Sequence, residues 1–286
     1  MSIFESDALF DYLADQNDRH ARTTSWWRVN DLVARESIAA LRPCFDAAAP
    51  FNFGPIGTIK FPYFRMGAID SMDLFGLDEL ILFSFYWRNR KRYQLVADIG
   101  ANLGLHGLLL GKLGMDVTCY EPDPVHVEEL RRNLMINSLD NVAVVPHAVS
   151  TSTGSVEFTR VLGNTTGSHI SGAKRDPYGE LDRFDVPTTS ILDALKGQDL
   201  VKMDVEGYEA KLLLALDDND LVNSDIVAEI GTKENAQILY QRFHGTKVKI
   251  FSQKRNWQQV EVPADLPVSY REGSVFISHK DEMPWD

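Results

Sequence analysis

Acidic residues stand where several apolar runs of this sequence end, at positions from which side chains can reach a ligand. Asp98 immediately precedes a glycine turn at residues 100–104, and Glu121 follows the next apolar run. The turn has the spacing G-x-N-x-G, which differs from the G-x-G-x-x-G that cradles a pyrophosphate. A carboxylate beside such a turn repels phosphate and attracts an ammonium group.

Glu121 lies about 20 residues after the turn, where an acidic residue of a nucleotide-binding fold accepts hydrogen bonds from ribose hydroxyls. One carboxylate that binds an amine and a second one that binds a ribose together indicate a ligand in which a nucleoside carries an amino acid. The sequence therefore predicts a site for S-adenosylmethionine. The alternatives are that Glu121 is an exposed acid at a strand end and that Asn102 only caps the following helix.

The elements that must position these residues begin at about residue 93, where strand-like apolar runs alternate with helical segments. The pattern predicts strands at residues 93–99, 116–120, 141–145, 155–160 (as part of a hairpin), 200–204, 226–230, 247–251 and 274–278. Such alternation is typical of βαβ units and a mainly parallel sheet. Where the strand order of such a sheet reverses, the Gly100 turn and Asp204 should face the same crevice.

Five segments carry a resemblance to a known family: DIGANLG, CYEPD, VVPHAVS, LVKMDVEGYE and DIVAEI. Together they resemble the FkbM family of S-adenosylmethionine-dependent methyltransferases over roughly residues 93–235. Residues 202–209, KMDVEGYE, are similar to the family signature K-x-D-x-E-G-x-E. The resemblance implies a Rossmann-like class I methyltransferase fold of the α/β class. Its sheet would have seven mainly parallel strands with helices on both faces, and a helical, aromatic cap would precede it.

The resemblance also implies which residues bind the cofactor. The methionine end would be held by Asp98, Gly100, Asn102 and Gly104, and the ribose by Glu121. His147 and Ala148 would lie beside the adenine. Pro122, which shapes the turn after Glu121, and Asp204, near the reacting sulfonium, complete the expected set.

Asp204, Glu206 and Glu229 are the expected catalytic residues. Asp204 and Glu206 can each act as a general base, as a wall that stabilises a cation or as a metal ligand, and the alternative is that they cap the next helix. Glu229 can contact the methyl acceptor, be a structural acid at a strand end, or join Asp204 in binding Mg²⁺, a cofactor that we do not favour. Lys202 is expected to form a buried ion pair with a neighbouring acid.

Several histidines are further candidates for the base that takes a proton from an acceptor hydroxyl. They are His106, His147, His169 and His244. We expect the remaining three, His20, His126 and His279, to lie on the surface.

Composition limits the function classes. The 286 residues carry 29 Lys and Arg against 41 Asp and Glu, a net charge of −12, which argues against nucleic acid as the main partner. Two cysteines exclude a disulfide-stapled scaffold and a cysteine-rich zinc site. The N-terminus lacks the pattern of a signal peptide, and no apolar run is long enough to span a membrane. We therefore expect a cytoplasmic protein, with a homo-oligomer as an open alternative.

Two domains are expected, an N-terminal cap at residues 1–90 and a cofactor-binding domain at residues 91–286. Aromatic residues of the cap either form an ordinary core or wall a substrate pocket. The polar stretch at residues 162–184 is either a lid over the site or a disordered surface insertion.

The predicted function is O-methylation of a hydroxyl on a small molecule or glycan, either a sugar or a secondary metabolite. Two alternatives are a nicotinamide-dependent oxidoreductase, which can share this fold, and a non-catalytic subunit that only binds the cofactor.

Overall fold

The computed structural model describes residues 3–174 and 179–286. The fourteen strands within these ranges are β1 (Phe51–Asn52), β2 (Thr58–Ile59), β3 (Leu95–Ile99), β4 (Asp116–Tyr120), β5 (Val142–Val145), β6 (Ala148–Ser150), β7 (Gly154–Val161), β8 (His169–Ile170), β9 (Leu181–Ser190), β10 (Leu200–Met203), β11 (Asp225–Glu229), β12 (Lys249–Ser252), β13 (Gln258–Gln259) and β14 (Ser274–Ser278). The nine α-helices in the same ranges are α1 (Leu9–Ala14), α2 (Ser25–Ala40), α3 (Arg42–Asp46), α4 (Leu77–Arg88), α5 (Leu105–Lys112), α6 (Pro124–Ile136), α7 (Ile191–Leu195), α8 (Glu209–Leu214) and α9 (Lys233–Phe243).

The main sheet has eight strands in the order β13-β12-β14-β11-β10-β3-β4-β5. The expected number of seven is therefore too low, because the two-residue strand β13 pairs with β12 at the edge of the sheet. The five strands from β11 to β5 are parallel, and β14 runs antiparallel to both of its neighbours. The sheet is thus mixed, with a parallel half that carries the glycine turn.

The strand order reverses between β3 and β10, which are parallel neighbours. Asp98 stands opposite Lys202 in their register, and Ile99 stands opposite Met203. The carboxyl ends of both strands therefore open into one crevice, where ligands of open α/β sheets bind.

Helices cover both faces of the sheet, because side chains of each strand alternate between two hydrophobic cores. Val96 of β3 belongs to the core that contains α4 and α5, while Ala97 belongs to the core that contains α7, α8 and α9. Pro124 begins α6, and the Asp123 side chain caps that helix by accepting a hydrogen bond from the Val125 N–H.

The N-terminal segment packs on the first of these faces and shares its core. Its aromatic residues Phe45, Phe53, Phe61 and Phe75 are at most 1% exposed and contact one another edge to face. These rings therefore form core, and Phe75 also lines a cavity beside α2 and α4. The division at residue 90 into a cap and a cofactor-binding domain stays a prediction.

A second sheet of four strands, in the order β6-β9-β7-β8, lies after β5. The predicted strand at residues 155–160 corresponds to β7, and its long partner β9 begins inside the stretch expected to be a lid or a disordered insertion. In that stretch β8 pairs with β7, and Asn164 forms a bridge with Gly67 of the N-terminal segment. Residues 175–178 of the expected lid lie outside the described residues.

None of the helices within residues 3–174 and 179–286 combines the length and the apolar composition needed to cross a membrane.

Candidate active site

A cavity opens at the carboxyl ends of the parallel strands, where the glycine turn after β3, the turn after β4 and the turn after β10 meet. We call it the strand-end cavity. It is lined by Ile69, Leu74, Glu79, Gly100, Asn102, Tyr120, Glu121, Pro122, His126, Ala148, Val149, Phe158, Thr165, Thr166, Ser168, His169, Ile170, Asp204, Val205, Glu206 and Glu229. Its empty space, counting the part that is open to solvent, is about 930 Å³.

The glycine turn lies against the backbone of the turn after β10. Gly100 has a φ of 78°, and a Cβ atom on it would come within 1.8 Å of the Asp204 carbonyl oxygen. No other residue fits there, because both the backbone conformation and the close approach require glycine. Gly104 begins α5 with a φ of 80°, and a Cβ atom there would lie 2.7 Å from Leu130 Cγ.

Glu121 joins the first two turns. Its Oε2 accepts a hydrogen bond from the Asn102 N–H and its Oε1 accepts one from the Asp123 N–H, both at 2.8 Å. Burial raises the pKa of Glu121 to about 8, and the nearby Asp123 adds to the rise, although both backbone hydrogen bonds oppose it. The carboxyl group thus braces the turn and still lines the cavity.

Lys202 lies under the glycine turn between two carboxylates. Its Nζ is 3.6 Å from Asp98 Oδ1 and 3.6 Å from Asp204 Oδ2, and it donates a hydrogen bond to the Gly100 carbonyl at 3.3 Å. The predicted ion pair of Lys202 with a neighbouring acid is confirmed. Burial would lower the pKa of Lys202, but the surrounding carboxylates raise it above its usual value, so the ammonium stays charged.

The turn after β10 holds its acidic side chains in a constrained backbone. Glu206 has a φ of 54°, a conformation that is uncommon for a residue other than glycine and recurs at functional sites. Lys174 Nζ is 2.5 Å from Glu206 Oε2. Burial and the charge of Asp204 raise the pKa of Glu206 to about 7. Glu209, which the sequence did not single out, braces this turn by accepting hydrogen bonds from the backbone N–H groups of Val205 and Gly207.

Two further carboxyl groups line the strand-end cavity: that of Glu79, which lies on α4, and that of Glu229, which lies on β11. The pKa of Glu229 is raised well above its usual value by burial and by the charges of Asp204 and Glu79. Burial would also raise the pKa of Glu79, but His106 outweighs that effect and the pKa is lowered. The sequence does not predict a role for Glu79, because an acid in the first turn of a helix usually only complements the helix dipole. A usable signal was that a long apolar run, buried from Leu80 to Tyr86, follows Glu79 directly in α4.

Eight of the eleven expected site residues line this cavity. They are Gly100, Asn102, Glu121, Pro122, Ala148, Asp204, Glu206 and Glu229. The other three lie behind its surface. Asp98 is fully buried and accepts a hydrogen bond from the Gly107 N–H, Gly104 supports α5, and His147 Nδ1 contacts Thr189 Oγ1 at 2.9 Å.

The histidines expected as candidate bases are spread over the molecule. His169 lines the cavity, with Nδ1 turned to the Gly167 carbonyl at 2.9 Å. His106 lies behind Glu79, with Nε2 2.9 Å from Glu79 Oε2. His244 stacks on Tyr240 at the end of α9 and lines a separate surface pocket.

Two of the histidines expected on the surface are buried, and that expectation was wrong for them. His126 is 3% exposed because it lies under Thr165, whose Oγ1 is 2.9 Å from its Nε2. His20 is fully buried because α1 and Trp257 enclose it. Single polar residues in helical or turn segments gave no sign of these long-range contacts.

Within residues 3–174 and 179–286, no three His, Cys, Asp or Glu side chains are grouped so that they could hold a metal ion. Beside Asp204, the position of a cation is taken by Lys202.

The sequence model of the methyltransferase FkbM domain matches residues 98–248, which is more than half of the chain. The chain belongs to the FkbM methyltransferase family. The match begins at Asp98 and includes every strand-end turn of the cavity. It identifies a methyltransferase domain rather than a nicotinamide-dependent dehydrogenase, and family membership implies S-adenosylmethionine as the methyl donor.

Among solved structures, this FkbM-family chain is similar to cofactor-bound Rv0187 from MTB, at 14% identity over 84% of this chain and 88% of that chain, with a TM-score of 0.39. It is also similar to a methyltransferase from Geobacter sulfurreducens, at 18% identity over 68% and 75% of the two chains, with a TM-score of 0.35. A third is precorrin-6y C5,15-methyltransferase from Geobacter metallireducens, at 17% identity over 66% and 81%, with a TM-score of 0.35. A search of curated proteins returned no match.

The residues present in this FkbM-family site fit a cationic nucleoside. Asn102 Oδ1 and Asp204 Oδ1 are buried acceptors without a hydrogen-bond partner among the described residues. Buried polar atoms normally have hydrogen-bond partners, so these two oxygens are suited to accept hydrogen bonds from a ligand. The ammonium group and the ribose hydroxyls of S-adenosylmethionine are such donors.

Proposed function

We propose that this protein transfers a methyl group from S-adenosylmethionine to a hydroxyl group of a sugar, a glycan or a secondary metabolite, and that it does so in the cytoplasm. The observation that supports this best is the set of five carboxyl groups that line the strand-end cavity: Glu79, Glu121, Asp204, Glu206 and Glu229. When bound, the donor supplies a methyl group on a positively charged sulfur. Acidic walls attract that charge and can accept the proton that an alcohol must lose.

The turns after β3 and β4 would hold the donor. We assign the methionine end to Gly100 and Asn102, and the ribose to Glu121 with Pro122 shaping the turn. Ala148 would lie against the adenine. The three residues behind the surface would act through these neighbours: Asp98 by fixing Lys202, Gly104 by starting α5 and His147 by supporting the adenine side.

Asp204, Glu206 and Glu229 would control the reacting centre. Asp204, held by Lys202, would face the cationic end of the donor. Glu229, whose pKa is raised by burial and by the charges of Asp204 and Glu79, would form a hydrogen bond that orients the acceptor. Glu206, with a pKa of about 7, would be partly ionised at neutral pH. We propose no Mg²⁺ requirement, since carboxylates can serve as bases and Lys202 already neutralises Asp204.

Two measurements test this function. Isothermal titration should show micromolar binding of S-adenosylhomocysteine and no binding of NAD. Labelled S-adenosylmethionine should then transfer its methyl group to a member of a panel of hydroxylated sugars and metabolites, equally well with and without EDTA. Asp204→Asn should lower this transfer. Binding of NAD alone would overturn the proposal, while cofactor binding without transfer to any hydroxyl would favour a non-catalytic subunit.

A further inference from the structure

A second cavity lies between the N-terminal segment and the strand ends. We call it the N-terminal cavity. It is lined mainly by α2, by the turn before α4 and by the first residues of α4, and Tyr270 closes it from the C-terminal region.

The N-terminal cavity and the strand-end cavity share two residues of their walls, Glu79 and Glu229. A third contact lies beside them, because Tyr270 of the N-terminal cavity interacts with Glu206 of the strand-end cavity. A molecule in each cavity would therefore meet at these carboxyl groups. In-line methyl transfer needs such a meeting of two bound molecules at one point.

The wall of the N-terminal cavity is more acidic than basic. It contains three arginines, and each of them already has a carboxylate partner: Arg22 pairs with Asp78, Arg35 with Asp31, and Arg42 with Asp46. Six carboxyl groups line it: Asp31, Asp70, Asp73, Asp78, Glu79 and Glu229. An excess of negative charge repels a phosphate or a carboxylate, whereas carboxylates accept hydrogen bonds readily from hydroxyl groups.

Glu79 is the one shared residue whose environment keeps it ionised. His106 Nε2 lies 2.9 Å from Glu79 Oε2, and His106 Nδ1 lies 3.0 Å from the hydroxyl of Tyr86. Tyr86 is fully buried and its pKa is raised, so the phenol keeps its proton and can donate it to Nδ1. Glu79 Oε2 itself has no hydrogen-bond partner among the described residues, so this buried oxygen can accept a hydrogen bond from an acceptor hydroxyl.

We propose that the N-terminal cavity binds a hydroxyl-bearing methyl acceptor that carries no negative charge, and that Glu79 takes the proton of the reacting hydroxyl. This inference rests on the proposed function. The acceptor oxygen forms a bond to the methyl carbon, its proton passes to Glu79, and the electron pair of the broken carbon–sulfur bond stays on sulfur. The sulfonium and the carboxylate are both uncharged afterwards, so the charge balances.

Blocking the N-terminal cavity tests the binding site. Ala39 is exposed and lines this cavity, whereas Ala40, the next residue of α2, is exposed and does not line it, so Ala39→Trp and Ala40→Trp are a matched pair. The probes are methyl α-D-glucopyranoside, glucose 6-phosphate and glucosamine, observed by saturation-transfer NMR with S-adenosylhomocysteine present. The uncharged glycoside should bind to wild type and to Ala40→Trp and should be lost in Ala39→Trp.

Several results would overturn this site. They are equal glycoside binding by Ala39→Trp, no glycoside binding by wild type, or stronger binding of the phosphate than of the glycoside. The dissociation constant of S-adenosylhomocysteine, measured on all three proteins, keeps the two proposals apart. If wild type does not bind S-adenosylhomocysteine, the proposed function is refuted. If it does bind S-adenosylhomocysteine and Ala39→Trp still binds the glycoside, only the acceptor site is refuted.

Infrared spectroscopy can test the role of Glu79 before the methyl acceptor is known. Glu79→Gln and Glu229→Gln each remove one carboxyl group, and the pKa values of these two groups are shifted in opposite directions. Each carboxyl also faces Lys202, and Glu229 faces Asp204 and Glu206 as well. At neutral pH, Glu79→Gln should remove an ionised carboxylate band and Glu229→Gln a protonated carboxyl band; a protonated Glu79 would overturn the assignment. With an acceptor from the panel, Glu79→Gln should lower turnover by roughly 100- to 10,000-fold, and Glu229→Gln by far less.

Discussion

The two cavities that meet at Glu79 and Glu229 are built in different ways. One side of the strand-end cavity is formed by short turns that directly follow strands of the parallel sheet, and the rest of its wall comes from the second sheet, α6 and the N-terminal segment. The N-terminal cavity is made mainly by helices of the N-terminal segment together with Tyr270, far away in the sequence. The strand-end turns are therefore encoded locally, whereas the N-terminal cavity depends on how distant segments pack.

This difference has a functional consequence. The turns of the strand-end cavity are locked to one another by backbone contacts, such as Gly100 against Asp204 and Glu121 with Asn102. The N-terminal cavity is lined by side chains on helix surfaces, which can change without moving a strand. Substitutions there should alter the acceptor and leave donor binding intact.

The largest expected effect comes from disrupting the strand-end turns with Gly100→Ala. A Cβ atom would meet the Asp204 carbonyl oxygen, so the two turns must separate. We expect the free energy of unfolding to fall by at least about 3 kcal/mol and S-adenosylhomocysteine binding to be lost. Gly114→Ala is the control, because Gly114 also has a positive φ, 87°, but has no atom within 4 Å of the added Cβ. It should cost about 1–2 kcal/mol in urea unfolding and leave binding unchanged.

Glu121→Gln should weaken S-adenosylhomocysteine binding by about 1.5–3 kcal/mol, because a charge-assisted acceptor is lost. Since the pKa of Glu121 is about 8 and ribose hydroxyls favour the ionised carboxylate, wild-type affinity should rise with pH up to about 8. Titration calorimetry between pH 6 and about 8.5 checks both effects. An unchanged affinity, or the same pH dependence in Glu121→Gln, would remove Glu121 from the ribose role.

A smaller effect should appear where the N-terminal segment packs against the C-terminal region. His20 contacts the Leu13 carbonyl through Nε2 and accepts a hydrogen bond from Trp257 through Nδ1, both at 2.9 Å, and so ties α1 to the C-terminal region. Burial lowers the pKa of His20 to about 4 from 6.5. A group with a lowered pKa of this kind contributes stability above 6.5 that is lost as pH falls towards 4.

We therefore expect acid to reduce the free energy of unfolding by about 2 kcal/mol through His20 alone. Urea unfolding of wild type and His20→Gln at neutral pH and near pH 4.5 measures this contribution. The variant should be less stable than wild type at neutral pH and should lose less on acidification. Equal losses in the two proteins would show that His20 is not the group that titrates.

The same contrast explains which features of the structure can be predicted from the sequence. The strands at residues 116–120 and 274–278 have the predicted bounds, and the turn residues Gly100, Glu121, Asp204 and Glu206 meet in one cavity as their positions after strands imply. These features follow from local patterns and from the edge at which parallel strands end. The extra strand β13 is a two-residue pairing with nearby β12 and is too short to leave a strand pattern in the sequence. The long strand β9 and the burial of His126 follow from contacts with distant segments, which one sequence does not display.

The position of Glu79 can be seen in the sequence, but its contacts cannot be predicted from it. Its position at the start of α4 is consistent with an ordinary dipole-complementing acid, and only the packing of α4 against α5 brings it to His106. Asp98 shows the opposite case: its place before the glycine turn was visible, but its side chain is turned inward to Lys202.

The central claim is that donor and acceptor meet at Glu79 and Glu229, and a crystal structure with S-adenosylhomocysteine tests it most directly. We predict that the ribose hydroxyls bind Glu121 and that the sulfur faces Glu79 and Glu229, the two residues that also line the N-terminal cavity. A ligand whose ribose lies away from Glu121, or whose sulfur is closed off from the N-terminal cavity, would contradict it.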